Sequence, residues 1–428
     1  MNELVKSVLI LSDVPEAQAG IERAFEERGF VPIGLNLGYR ENEKLPERAP
    51  LAILLKTENS SINIQKIITI IKARYAGISI PVLALMASTP PLAEHDFDSV
   101  LIEPCHPAQI VLRTIGLIRL AHMEQEIGLR LETLNNDFGI KHDRPQPKEN
   151  DPFNILFIGK ASPEFMVIIN ALQRKNVRVV AAFTSFTAFD YLYEQTFDAV
   201  VMNGLASMDS ALSVTQTMRK NAKLFHVPAL LLADDLSEDM QAEVYRSGLN
   251  DVLDARAKLE DISARVLEQA NFHRMHETLK HEFGMLGGDL CTDTATQLYN
   301  KTFFKAHLLR VFKFYDAQDM PVSLCLIRVS PNDGSKSDAA IGASFQQIGV
   351  MIKNLVRLQD ITARLEPNLF AIAFPGQSAG QLEPVVERIE SILKCATLSD
   401  PQTGATLEIK LELTMTTLNM GGAAASVA

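Results

Sequence analysis

The chain has 428 residues, more than one hydrophobic core usually supports, so two to four domains are expected. Its 47 % hydrophobic and 22 % charged residues are ordinary for a soluble globular protein and argue against disorder. A formal net charge of -11 argues against a chain-wide surface for nucleic acid or anionic membrane, so any anion site must be local.

Ser7-Val-Leu-Ile-Leu-Ser12 reads as a short buried strand, too short for a secretory core and followed at once by Asp13. A helical pattern over 16–28 ends at Gly29, and strand-like runs follow at 51–55, 81–86 and 99–102 with helix-like segments between them. This alternation implies a doubly wound parallel sheet within residues 1–140. The polar, proline-rich stretch 141–152 reads as a linker. Asn154-Ile-Leu-Phe-Ile-Gly159 then restarts the programme, with strands at 197–202, 228–232 and 251–253, so residues 153–275 form an internal repeat. Neither first strand is followed by Gly-x-Gly-x-x-Gly, which sets dinucleotide binding aside.

A helical run over 259–282 leads through a stalk, residues 276–291, into a last domain at 292–420. Gly287-Gly288-Asp289 lacks a flanking strand pair and reads as a helix C-cap. A strand at 322–329, a helix at 343–356, a hairpin at 364–374 and a helix at 383–393 are expected next, and then a flexible tail at 421–428. Cys105, Cys291, Cys325 and Cys395 are far apart without Cys-x-x-Cys spacing, so a reducing cytoplasm fits better than a zinc site or disulfides. No apolar span is long enough for a bilayer, so no membrane insertion is expected.

Thr292-Asp293-Thr-Ala-Thr296-Gln-Leu298-Tyr299-Asn300-Lys301 resembles the Asp-x-Leu-Thr-x-Leu-x-Asn-Arg opening of GGDEF domains, the diguanylate cyclase family. Glu366-Pro367-Asn368-Leu369-Phe370 stands where that family has its Gly-Gly-Asp/Glu-Glu-Phe turn, and each earlier repeat resembles a two-component receiver domain. The resemblance implies an α/β chain of two CheY-like doubly wound receiver domains followed by a GGDEF (nucleotidyl-cyclase-like) domain. Receiver phosphorylation needs an acceptor Asp, an acidic pair for magnesium, a hydroxyl and a Lys. The first repeat keeps Asp13 but has Lys56, Met86 and Glu103 at the acceptor, hydroxyl and Lys positions. The second has Gly159-Lys160, Asn203, Ala233 and Ala255 at the four places. No phosphorylation site is therefore expected.

Cyclase chemistry needs carboxylates for a metal and glycines that let the backbone approach a triphosphate. Here those places carry Arg328, Asn368 and Leu369, with Glu366 and Pro367 for the glycines. The family's guanine-reading loop is unrecognisable in 330–338. Neither a catalytic metal nor catalysis is expected.

Arg357-Leu-Gln-Asp360 is an Arg-x-x-Asp of the kind expected about once by chance in a chain this long, and such a pair is ordinarily a solvated ion pair. Its register lifts it: Asp360 lies six positions ahead of Glu366, as the family's inhibitory product site does, and Arg388 stands where the third ligand arginine belongs. The chemistry suits cyclic di-GMP, because an arginine fork meets guanine N7 and O6 bidentately while a carboxylate suits the N1 and N2 donors. Arg357 and Arg388 are expected on guanine edges or phosphates and Asp360 on the Watson-Crick donors. Arg310 and Lys313 are weaker, secondary candidates, with an exposed helix face as the alternative.

The expectation is a catalytically inactive cyclic di-GMP receptor and adaptor, cytoplasmic, homodimeric by analogy, with no metal and no direct nucleic-acid contact. The likeness to the effector branch of receiver–receiver–GGDEF regulators further implies recruitment to a cell pole, polar localisation factors and a proteolysis adaptor serving the cell cycle. The alternatives are a divergent active cyclase and a ligand-independent scaffold.

Overall fold

The computed structural model describes residues 6–13, 18–37, 45–57, 64–86, 97–142, 144, 151–331, 345–396, 398–399, 406–407 and 409–418. Most of the expected linker, the loop at 332–338 and the tail at 421–428 lie outside the described residues.

The chain opens with β1 (Ser7–Ser12), α1 (Ala19–Glu26), β2 (Val31–Asn36), β3 (Ala52–Lys56), α2 (Ile64–Arg74), β4 (Val82–Met86), β5 (Ser99–Ile102) and α3 (Pro107–Phe138). All strand pairs are parallel, in the order β2-β1-β3-β4-β5. This is a doubly wound order whose central strands are covered on both faces, which is why β1, β3 and β4 read as unbroken apolar runs. Strand β2 escapes that reading because it is an edge strand carrying Pro32 and Gly34, residues that an edge tolerates.

The pattern repeats as β6 (Phe153–Ile158), α4 (Pro163–Gln173), β7 (Val177–Ala182), α5 (Ser185–Glu194), β8 (Ala199–Asn203), α6 (Met208–Lys220), β9 (Ala229–Ala233), α7 (Glu238–Arg246), β10 (Asp251–Asp254) and α8 (Leu259–Met285). Its sheet runs β10-β9-β8-β6-β7, the same order taken from the other edge. Four of its helices start where Ser162, Thr184, Ser207 and Ser237 accept a backbone N–H from the first turn.

The third sheet follows: β11 (Tyr299–Asn300), α9 (Lys301–Asp316), β12 (Val322–Pro331), α10 (Phe345–Leu355), β13 (Ile361–Glu366), β14 (Leu369–Pro375), α11 (Ala379–Cys395), β15 (Leu398–Ser399), β16 (Thr406–Leu407) and β17 (Ile409–Thr417). The order β11-β13-β14-β12-β17 is mixed, with β13, β14, β12 and β17 antiparallel in succession. Gly287 and Gly288 follow the end of α8, outside any strand pair, and Gly288 has φ +142°.

Two compact units result. One takes in both parallel sheets; the other takes in the third sheet, α3 from His122 onward and α8 from Leu279 onward. The sequence places 122–140 with the first repeat, but Met123, Ile127 and Leu134 share a core with Phe303, Phe304 and Val311 of α9 and with Leu324 and Ala371 of the third sheet. That sheet's opposite face packs Cys325, Ile372 and Phe374 against Ile348 and Ile352 of α10 and Leu382 and Ile389 of α11.

In the parallel-sheet unit a buried ionic cluster links the repeats. Asp251 is fully buried, accepts from Gln109 Nε2 at 2.6 Å and from Arg265 Nε at 3.2 Å, and pairs with the Arg265 fork. Asp251→Ala leaves that guanidinium without its counter-charge, so it is expected to cost about 3 kcal/mol in urea unfolding. A loss below about 1 kcal/mol would mean that water replaces the pair.

Candidate functional site

Helix α10 ends at Leu355 and β13 begins at Ile361, so Arg357 to Asp360 form the turn between them. Asp360 N–H donates to Arg357 O at 3.1 Å, and Arg357 N–H donates to Asp360 Oδ2 at 2.8 Å, so backbone and side chain close the turn reciprocally. The Asp360 side chain points inward, and its Oδ1 is buried without a partner. Burial pushes this carboxyl up to about 7, against the pull of the Arg357 N–H and guanidinium.

Above the turn Arg357 and Leu358 are exposed, and the Arg357 guanidinium makes no hydrogen bond or ion pair among the described residues. Arg388 of α11 reaches the same place, donating from Nη2 to Leu355 O at 2.8 Å and so capping α10. Two exposed arginines thus gather at one helix end, as their spacing suggests. Asp360 sits differently from its expected role on a guanine edge: one oxygen holds Arg357 N–H and the other is buried.

Of the secondary candidates, Arg310 is committed elsewhere. It donates to Thr133 Oγ1 at 3.0 Å and pairs with Glu132 at 3.3 Å and Asp137 at 2.9 Å, all on α3. Lys313 is exposed on α9.

Beneath the turn lies a residue that sequence reasoning missed. Arg130 of α3 is buried, donates from Nη2 to Leu358 O and Asp360 O, both at 3.2 Å, and from Nε to Glu126 Oε1 at 2.7 Å. Its guanidinium lies 4.7 Å from the Phe283 ring centroid. Glu126 also accepts from His307 Nε2 at 2.9 Å. Burial would raise the Glu126 carboxyl, but Arg130 and His307 outweigh it and hold it below the usual range. Burial lowers His307, whose Nδ1 lies 2.9 Å from the Thr133 hydroxyl oxygen. Nothing local in the sequence marks Arg130, which lies 230 positions from Asp360.

The hairpin between β13 and β14 is closed by its own side chains. Arg328 lies opposite Leu369, donates to Asn368 Oδ1 at 3.3 Å and comes within 3.9 Å of Glu366. Arg364 donates twice to Pro367 O, at 3.2 and 2.8 Å, and pairs with Asp293 at 3.2 Å. Asp293 also accepts from Thr296 N–H and hydroxyl; although burial opposes it, these bonds and Arg364 keep its carboxyl below the ordinary range.

At the C-terminal ends of the central parallel strands, too, side chains bond within the chain. Lys56 Nζ pairs with Glu103 at 2.6 Å, and Thr57 donates to Asp13 at 2.8 Å. In the repeat, Asn203 is buried and donates to Lys160 O at 2.6 Å.

No family model matches the chain. It is 24 % identical over 197 residues to the response regulator PleD of Caulobacter vibrioides, in two strains, covering 45 % of this chain and 43 % of that protein. The chain therefore matches less than half the length of these curated relatives. The chain is similar to a response regulator. Among solved structures, the GGDEF domain of DgcB from Caulobacter crescentus, in complex with c-di-GMP, is 20 % identical with a TM-score of 0.29, over 33 % of this chain and 84 % of that one. The FimX GGDEF domain of Pseudomonas aeruginosa is 16 % identical with a TM-score of 0.27, over 29 % and 79 %. The chemotaxis regulator CheY4 of Vibrio cholerae is 15 % identical with a TM-score of 0.26, over 28 % and 98 %. The fold is two doubly wound parallel sheets, in the 2-1-3-4-5 order that flavodoxin-like and CheY-like folds share, followed by a mixed sheet.

The Asp360 carboxyl, raised from 3.8 to about 7, binds a proton in the folded chain that the unfolded chain has already lost, so its contribution to stability declines as pH rises from about 4 to about 7. Asp360→Asn keeps an acceptor for Arg357 N–H without the charge. Its stability should improve relative to the natural chain between pH 5 and pH 8, by at most about 3 kcal/mol. Urea midpoints that run parallel at both pH values would rule out titration of Asp360 in this window.

Proposed function

We propose that this chain is a catalytically inactive cyclic di-GMP receptor and adaptor. The observation that carries the reading is the pair of exposed arginines at one helix end, Arg357 with an uncommitted guanidinium and Arg388 on the carbonyl of Leu355. A cyclic dinucleotide offers what such a pair takes: guanine N7 and O6 edges and phosphate oxygens, both met bidentately by a planar fork. Asp360 shapes the turn from below; direct contact with a guanine requires its carboxylate to leave Arg357 N–H. Similarity to PleD, and to GGDEF domains of which one was solved with c-di-GMP, agrees with this ligand class.

Inactivity is supported by the side chains at the hairpin. Arg328 places a fixed cation where cyclase chemistry needs a metal-holding carboxylate, and Arg364 ties up Pro367 O where the turn must admit a triphosphate. The paired Lys56 and Glu103 and the buried Asn203 support receivers that act without phosphorylation. By its likeness to PopA-type effectors we assign the chain a cytoplasmic, homodimeric adaptor role, recruited to a cell pole by localisation factors and serving regulated proteolysis in the cell cycle.

Titration calorimetry with cyclic di-GMP is expected to show binding that Arg357→Gly weakens by about 2 kcal/mol, roughly thirtyfold. Equal binding by the variant, or no heat from the natural chain, would remove the receptor reading. Incubation with GTP and magnesium or manganese should give no cyclic dinucleotide; turnover above background would favour a divergent cyclase.

A further inference from the structure

We infer that Arg130 is a positioning residue for the Arg357–Asp360 turn, and that α3 from His122 to Phe138 is therefore part of the ligand site. This rests on the reading of Arg357 as a ligand arginine.

The turn has short local support. Asp360 Oδ2 fixes Arg357 N–H, and the Asp360 N–H closes on Arg357 O, but the carbonyls of Leu358 and Asp360 face inward. One nitrogen of Arg130 takes both. With those carbonyls drawn down, Leu358 and the Arg357 guanidinium are left on the exposed side. A single guanidinium thus sets the height and tilt of the segment that presents Arg357.

The arginine is itself held rigidly. Glu126 Oε1 engages its Nε, the hydroxyl of Tyr299 lies 3.5 Å from Nη1, and the Phe283 and Tyr299 rings flank it at 4.7 and 5.4 Å. Tyr299 in turn donates to Leu286 O at 3.0 Å, and Glu126 is fixed by His307. A planar fork locked by packing keeps its donors in a fixed direction, which a flexible ammonium cannot do. Thr133, three residues further along α3, serves the same docked helix through His307 and Arg310 but does not touch the turn.

That difference supplies the test, in the full chain. Glu126→Gln/Arg130→Met removes the fork without stranding a buried carboxylate, Arg130→Lys keeps the charge but not the two-carbonyl geometry, and Thr133→Val loosens the helix away from the turn. Cyclic di-GMP binding should fall at least tenfold in the double variant and at least threefold in Arg130→Lys, and stay within twofold in Thr133→Val. Amide exchange of residues 358–361 should quicken at least tenfold in the double variant, with β14 unchanged. Should the double variant fail to fold, Arg130→Lys is read alone by the same two measurements. Binding and exchange at the natural level in the Arg130 variants, or an equal fall in Thr133→Val, would overturn the inference. If the natural chain binds no cyclic di-GMP, the receptor reading fails by itself, and exchange at 358–361 still decides whether Arg130 holds the turn.

Discussion

A guanidinium cannot shed its charge, so a buried arginine persists only where acceptors surround it. Arg130 meets that condition with a carboxylate, two carbonyls and two aromatic rings, and much of the unit built on the third sheet follows from it. Glu126 is held ionised next to it, while burial, against the pull of Glu126, lowers the His307 imidazole. The Leu358 and Asp360 carbonyls have to face the fork, so the turn exposes its opposite side. Arg357 is left outward because Arg130 is inward.

The same requirement, that polar groups in a packed interior find partners, separates the closed sites from the open one. Lys56 pairs with Glu103 at the C-terminal end of β3, Asn203 donates to Lys160 O at the C-terminal end of β8, and Arg328 and Arg364 close the β13–β14 hairpin. In each case the side chain bonds within the chain. At the end of α10 the balance reverses, because Arg388 spends a single donor on Leu355 O and Arg357 spends none of its side-chain donors among the described residues.

Much of the fold was legible from residue order. Strands buried on both faces had to carry mostly apolar residues, so β1, β3, β4, β6, β8 and β9 stood out, and the repeat of their spacing revealed the second parallel sheet. Edge strands were harder. Strand β2 carries Pro32 and Gly34 and is half exposed, and β17 alternates charged and apolar residues, so neither shows the same signal. Arg357 and Arg388 were singled out by what the GGDEF resemblance implies, and Arg388 reaches Leu355 O, two residues before Arg357.

The sequence by itself determined which side chains are available: a hairpin with Pro367 in place of glycine, a strand ending in Arg328 instead of a carboxylate, and arginines at 357 and 388. These are covalent facts, and periodicity turns them into elements because helix and strand repeats are local. Only the tertiary structure decided which charge meets which. Arg130 lies beneath Asp360 from 230 positions away, Asp360 turns inward, and Arg310 goes to α3 rather than to a ligand. The partner of a charged group is set by how much water it loses when surfaces close around it, and that is a property of the packed chain rather than of any stretch of sequence.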